Sequence, residues 1–130
     1  MILGVGTDLI LIERIEELIL QFKEKFIERI FTSNEILKAK NSSYCAAFYA
    51  KRFAAKEACS KAIGLGIGRG INFKDIEISN DNFGKPQIKI LNGKENFLAQ
   101  HFGCKNFAIH LSLTDEKTMA SAFVIIEKIS

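Results

Sequence analysis

The order of patterns along this chain predicts an α+β fold, with a largely antiparallel sheet packed with a long central helix. Three observations carry that prediction. Apolar residues recur at threes and fours through about residues 11–63 and again through 93–102. Alternating runs come in two pairs, each pair joined by a turn, and a lone apolar strand opens the chain. Strands and helices therefore fall in blocks rather than in strict alternation, which favours α+β over a parallel α/β arrangement.

The opening run ILGVGT, residues 2–7, suits a strand. Gly4, Gly6 and Asp8 share one face by its two-residue period, and two glycines there leave room for a ligand or another backbone. From about Leu11 to Ile30 the pattern turns helical, with Ile12, Ile15, Ile19, Phe22, Phe26 and Ile30 on one stripe. Thr32 or Ser33 offers an N-cap for a short helix over 34–40. Tyr44 to Ile63 reads as the central helix, with Gly64 as its C-cap. INFKDIEI (71–78) alternates like a half-buried strand, and PQIKIL (86–91) pairs with it across a turn, starting at the only proline. Residues 93–102 read as a helix that stops at Gly103. FAIHLSL (107–113) and MASAFVIIE (119–127) form a last hairpin around TDEK.

A chain of 130 residues without a repeat, low-complexity tract or linker is expected to form one domain over residues 1–130. With 48% hydrophobic and 25% charged residues the composition is globular, and eleven phenylalanines without a tryptophan imply a core of Phe, Ile and Leu. The net charge of +3 is far from that of a nucleic-acid binder, and no basic aromatic platform accompanies it. No signal-peptide pattern opens the chain, and no apolar run reaches the roughly 18–20 residues of a membrane span. Cys45, Cys59 and Cys104 follow no metal-ligand spacing, and on one helix the first two would lie roughly 20 Å apart. Reduced cysteines behaving as small apolar residues, in a cytoplasmic protein, are expected.

The chemistry concentrates on the central helix. At about 100° per residue, Ala46, Ala50, Phe53 and Ala54 form an apolar stripe that Glu57 and Lys61 continue. Arg52, Lys56 and Ser60 fall on the opposite or flanking side. An exposed Glu-to-Lys pair at this spacing is worth only about 0.2–0.5 kcal/mol, whereas charges on an apolar stripe more often face a cleft or ligand. Asp8, at the end of the first strand, is either a cap for the following helix or a second carboxylate facing Glu57. Two carboxylates from separate elements, leaving positions open to water and phosphate oxygens, suit Mg²⁺. Lys61, one turn from Glu57, would reach the same phosphate. The glycines at 64, 66, 68 and 70 allow a ligand to approach backbone N–H groups, but match neither the P-loop nor the dinucleotide fingerprint.

These segments resemble the holo-[acyl-carrier-protein] synthases, the small bacterial 4′-phosphopantetheinyl transferases. GVGTDLI (Gly4–Ile10) resembles one of their signatures. RFAAKEACSKAIG (Arg52–Gly64) resembles the other, Phe-x-x-Lys-Glu-x-x-x-Lys, through Phe53, Lys56, Glu57 and Lys61. GIGRGINFKDIEI, GKP (Gly84–Pro86) and the C-terminal hairpin are also similar, so the resemblance spans nearly the whole chain. It implies a phosphopantetheinyl transferase-like fold and transfer of phosphopantetheine from coenzyme A to a serine of apo acyl carrier protein in fatty acid biosynthesis. It implies Mg²⁺ at Asp8 and Glu57, with Lys61 on the diphosphate and Glu57 as metal ligand, proton acceptor or both. It further implies coenzyme A contacts at Arg52, Gly64, Lys85, Pro86, Ser112 and Thr114, a homotrimer with shared sites, and carrier-protein docking on the first helix around Arg14.

One position departs from the family pattern. Many members close the Ser-aliphatic-Ser/Thr segment with a histidine that touches the nucleotide 3′-phosphate, and here Asp115 stands after Ser112-Leu113-Thr114. That contact is either missing or supplied by another residue. A catalytically weakened coenzyme A-binding or interaction module of the same fold is therefore the alternative. His110 is expected to be a structural strand residue and His101 a helix-end residue.

Overall fold

Strands from opposite ends of the chain, β1 (Ile2–Leu11) and β5 (Met119–Lys128), lie side by side in the computed structural model, which describes residues 1–130. With β4 (Phe107–Asp115) they form an antiparallel sheet in the order β1-β5-β4, and β2 (Ile76–Asn80) and β3 (Pro86–Ile90) form a separate antiparallel pair. The helices are α1 (Ile12–Phe22), α2 (Glu24–Ile30), α3 (Ser33–Ala39), α4 (Cys45–Ile63) and α5 (Lys94–Phe102). No helix is long and apolar enough to cross a membrane. The α+β class with antiparallel sheets around one long helix is as the sequence predicts.

Register decides which residues face the core. Gly4, Gly6 and Asp8 pair with Ile126, Val124 and Ala122, while Leu111 and Leu113 oppose Val124 and Ala122 from the other side. These residues look toward α4. Val5, Thr7, Leu9 and Leu11 pair with Ile125, Phe123, Ser121 and Met119, and look the other way. The inner face builds one apolar cluster with Ala54, Ala55, Ala58, Ala62, Ile76, Ile78 and Leu98, each buried. A second cluster, around Ile12, Ile15, Phe26, Ile30, Phe31, Tyr49 and Ala50, joins α1 and α2 to the first half of α4. Each isoleucine sealed this way contributes roughly 1.5–3 kcal/mol relative to exposure. Alanine supplies both helix propensity and closeness in α4, and Gly64, with φ 88°, ends it in a left-handed cap.

Three local expectations are corrected, and one burial is added that no expectation covered. The first strand runs to Leu11 rather than Thr7, because inward Asp8 and Ile10 alternate with outward Leu9 and Leu11 along the β5 ladder. The helix expected over 11–30 breaks at Lys23, where φ is 51° and ψ −128°. The apolar period runs straight through that break, which turns the chain and carries Phe26 and Ile30 into the second cluster. The strand expected over 71–78 begins only at Ile76, since Phe73–Asp75 is a 3₁₀ turn. Asp75 holds that turn by accepting from Asn72 N at 2.8 Å and Asn92 Nδ2 at 2.7 Å. The side of α4 carrying Arg52, Lys56 and Ser60 is buried, because α3 and β2 cover what a helical wheel leaves bare. All three cysteines are free as expected, although Cys45 is exposed and only Cys59 is fully buried.

Candidate active site

β1 and α4 meet without intervening side chains. A Cβ on Gly4 would lie 1.7 Å from the Ala62 carbonyl oxygen, and one on Gly6 would lie 1.9 Å from that of Ala58. The spacing is physically matched: two strand residues advance about 6.6 Å and four helix residues about 6 Å. The room those glycines leave is thus filled by backbone, not ligand. Asp8, the next inward position, follows the same close seam.

There Asp8, Glu57 and Lys61 converge. Lys61 Nζ donates to the Thr7 carbonyl at 2.9 Å and to Asp8 Oδ1 at 3.1 Å. The Asp8 side chain is 17% exposed and that of Lys61 is 54% exposed, so the group sits at the mouth of the seam. Glu57 is half-buried, and its carboxyl is raised above the usual range, first by burial and then by the Asp8 charge, with Lys61 partly offsetting both. Two hard-oxygen ligands that repel each other are the donor set Mg²⁺ accepts, since that ion keeps waters and takes one or two carboxylates plus phosphate oxygens. No group of three or more His, Cys, Asp or Glu side chains converges, as an all-protein transition-metal cage would need. The residues present fit Mg²⁺.

Gly64 follows Lys61 by one turn of chain, its N–H shared between the Ser60 and Lys61 carbonyls at 3.1 Å each. A side chain at Gly64, Gly66 or Gly68 would meet nothing within 4 Å, whereas Gly70 presses on the Phe97 ring. The first three glycines leave the loop open toward solvent.

The other sequence-predicted residues lie apart from this cluster. Arg52 and Glu57 are five positions apart, about 140° round the helix. Arg52 is buried, with its guanidinium 3.7 Å over the Phe48 ring and one N–H donating to Asn80 Oδ1 at 3.0 Å. Its Nε is buried without a partner. Burial lowers its pKa, and Glu35 partly restores it. Asn80 in turn donates to Gly84 O at 2.9 Å, in the turn that ends at Lys85 and Pro86. Asp81 Oδ1 pins that turn by accepting from Phe83 N at 2.8 Å and Lys85 N at 2.9 Å. Ser112 and Thr114 pair with Phe123 and Ser121 and face away from α4. One copy of the chain brings Asp8, Glu57 and Lys61 together, with Gly64 nearby. It does not bring Arg52, Lys85 and Pro86, or Ser112 and Thr114, to them.

Asp115 lies 3.8 Å from Lys51 Nζ in a loose, part-exposed ion pair. His110 Nε2 lies 2.8 Å from Glu127 Oε1 on the outer sheet face, and His101 Nε2 lies 2.8 Å from the Ile63 carbonyl oxygen. Both histidines thus have structural partners. Sequence reasoning missed Asn80 and the Lys51–Asp115 pair, because their contacts span 28 and 64 positions with no motif. It also missed the burial of Lys56 against Glu35.

A sequence model of the 4′-phosphopantetheinyl transferase superfamily matches residues 4–120. The chain belongs to that superfamily. A holo-[acyl-carrier-protein] synthase of Bartonella bacilliformis is 48% identical over 128 residues, which is 98% of this transferase-superfamily chain and 96% of that protein. Among solved structures, a holo-[acyl-carrier-protein] synthase from Neisseria meningitidis is 37% identical at a TM-score of 0.88, covering 98% of this chain and 100% of that one. One from Bacillus anthracis, in complex with CoA (3′,5′-ADP), is 40% identical at a TM-score of 0.81, covering 99% of each chain. The fold of this superfamily member is therefore the phosphopantetheinyl transferase fold, as the sequence implies.

Proposed function

We propose that the chain is a Mg²⁺-dependent holo-[acyl-carrier-protein] synthase. It transfers the 4′-phosphopantetheine arm of coenzyme A to a serine of apo acyl carrier protein, in fatty acid biosynthesis. The convergence of Asp8, Glu57 and Lys61 carries this reading, in a chain whose relatives bear that name over nearly their full length.

In the reaction the serine hydroxyl attacks the phosphorus that bears the pantetheine arm. A new P–O bond forms to the serine oxygen, the P–O bond within the diphosphate breaks, and adenosine 3′,5′-bisphosphate leaves with the electron pair. Asp8 and Glu57 would hold Mg²⁺, and the chemistry the ion supplies there is neutralisation of charge on the diphosphate. Lys61 adds a second positive charge beside the same oxygens, held in place by Thr7 O and Asp8. The raised carboxyl of Glu57 also suits it to accept the serine proton.

The remaining contacts follow from where their residues sit. Ser112 and Thr114 share the outer sheet face with Val5, Leu9, Leu11 and Phe123, which are 54%, 60%, 43% and 44% exposed. Such a contiguous apolar face is covered in an assembly. We read that assembly as a homotrimer, in which a neighbouring copy's Ser112 and Thr114 complete the coenzyme A pocket begun by Asp8, Glu57, Lys61 and Gly64. Arg52 and Lys85 serve the phosphates, and Pro86 the adenine edge. At Asp115, where the family pattern has histidine, the loose pair with Lys51 of α4 would supply the cation. Arg14, exposed on α1, receives the acidic carrier protein. The chain acts in the cytoplasm as one domain over residues 1–130, without a nucleic-acid partner.

The deciding experiment is intact-mass analysis of apo acyl carrier protein incubated with coenzyme A and the chain, with Mg²⁺ or EDTA. A gain of one phosphopantetheine that needs Mg²⁺ and is lost in a folded Glu57→Gln variant is expected. Coenzyme A binding without that gain would establish the weakened binding module instead. Near-normal transfer by Glu57→Gln at saturating Mg²⁺ would sink the metal assignment.

A further inference from the structure

Lys56 precedes Glu57 on α4 and is completely buried, at 0% exposure. An ammonium has three N–H donors, and this one has three acceptors: Ile30 O at 2.7 Å, Glu35 Oε1 at 2.7 Å and Phe73 O at 3.0 Å. None is left for a substrate. The acceptors belong to the end of α2, to α3 and to the 3₁₀ turn before β2. Glu35 extends the tie, since Oε1 also accepts from Thr32 N and Oε2 from Ile78 N, each at 2.8 Å. Thr32 Oγ1 donates to Glu77 Oε2 at 2.6 Å.

The helix has reason to need such a tie. Ala50, Ala54, Ala55, Ala58 and Ala62 make up much of its buried surface. Side-chain ridges seat a helix against its neighbours, and methyl groups make shallow ridges, so away from the β1 seam the rotation of α4 depends on its larger buried groups, Lys56 among them. A turn of about 20° would carry a side-chain tip about 5 Å from the axis through about 2 Å. Metal ligation tolerates only about 0.2 Å. Because consecutive helix positions lie about 100° apart, the direction in which Lys56 is held decides where Glu57 points.

We propose that the buried Lys56–Glu35 pair is a positioning device for the site, fixing the rotation of α4 so that Glu57 faces Asp8. The inference rests on reading Asp8 and Glu57 as metal ligands. Direct Mn²⁺ binding followed by electron paramagnetic resonance tests it, together with the Mg²⁺ concentration that half-saturates transfer, the KM for coenzyme A and the melting temperature. Glu35→Gln combined with Lys56→Met removes both charges together, so neither member of the pair is left as a buried ion facing the other's empty place. Thr32→Ala loosens the same network gently, and Ile90→Val is a core change that removes none of these hydrogen bonds.

The double variant should bind Mn²⁺ at least about tenfold more weakly, as loss of a group supporting a ligand does, with a parallel rise in the Mg²⁺ half-point and little change in KM. Thr32→Ala should shift the same way by less, and Ile90→Val should lower the melting temperature alone. Wild-type Mn²⁺ affinity in both network variants, at a temperature where they are folded, would overturn the inference. If the double variant does not fold, Thr32→Ala decides. Glu57→Gln tests the underlying reading separately: retained Mn²⁺ binding there would remove the site and the inference together, whereas its loss beside wild-type binding in the network variants overturns the inference alone.

Discussion

Gly6 lies against the carbonyl of Ala58 so closely that a Cβ on the glycine would stand 1.9 Å from that oxygen. Strand and helix therefore touch backbone to backbone, and Asp8, two residues on, inherits its place beside Glu57 and Lys61 from that contact. Gly6→Ala should force β1 and α4 apart, costing about 1–3 kcal/mol or more and most of the transfer activity. Gly66→Ala, where a side chain meets nothing within 4 Å, should leave stability unchanged. Denaturant unfolding with a transfer assay on both variants checks this.

Lys61 should separate stability from activity. Its side chain is 54% exposed, and exposed ion pairs contribute about 0–1 kcal/mol. Lys61→Met should leave the melting temperature nearly unchanged while transfer falls on the order of a hundredfold, as for loss of one preorganised charge. A large loss of stability with activity kept would make Lys61 a structural residue.

Proton linkage at Glu57 gives a signed expectation. Its carboxyl, raised by burial and then by the Asp8 charge, keeps a proton to higher pH in the folded chain than in the unfolded one. The folded state then binds more protons in that window, so stability falls as pH rises from the ordinary carboxylate range through the raised value. Asp8→Asn removes the second cause and leaves the first, so the slope should shrink without vanishing. Urea midpoints in EDTA between about pH 4 and pH 7 measure it. An unchanged slope in Asp8→Asn would show that the two carboxylates do not couple.

The cysteines differ in accessibility. Burial pushes the Cys59 thiol up to about 12, while Cys45 is exposed. A thiol-disulfide reagent at neutral pH should label Cys45 quickly and Cys59 only after unfolding. Rapid labelling of Cys59 in the folded protein would mean that α4 opens locally.

The proposed shared site predicts complementation. Leu9→Glu on the outer sheet face should give folded monomers by light scattering, without transfer activity. Glu57→Gln chains co-refolded with chains carrying Ser112→Ala and Thr114→Ala should regain part of the activity that each lacks alone. No recovery in verified mixed trimers would place each pocket within one copy.

Much of this was legible in the sequence, for identifiable reasons. The period of two put Gly4, Gly6 and Asp8 on one face, and the period of 3.6 put Glu57 and Lys61 on one stripe; both are local rules that the fold obeys. The left-handed cap at Gly64 is equally local. The burial of Arg52 and Lys56 was not legible, because a wheel describes one helix and α4 is enclosed by several elements. Thr32 and Glu35 form the capping box that their spacing allows, but nothing in that spacing shows that Glu35 also receives Lys56. The break at Lys23 lay hidden under an uninterrupted apolar period.

The pairing of β1 with β5 joins residues 2–11 to 119–128. On a ribosome the strand that carries Asp8 emerges early, but its ladder partner comes more than a hundred residues later. The Asp8 end of the site cannot be locked in place by local folding, and its assembly waits on the slow closure of a long loop. Nascent chains lacking the β5 segment should thus hold Glu57 and Lys61 on a formed helix while Asp8 remains on an unpaired strand. The site would close only once β5 has emerged to pair with the strand that carries Asp8.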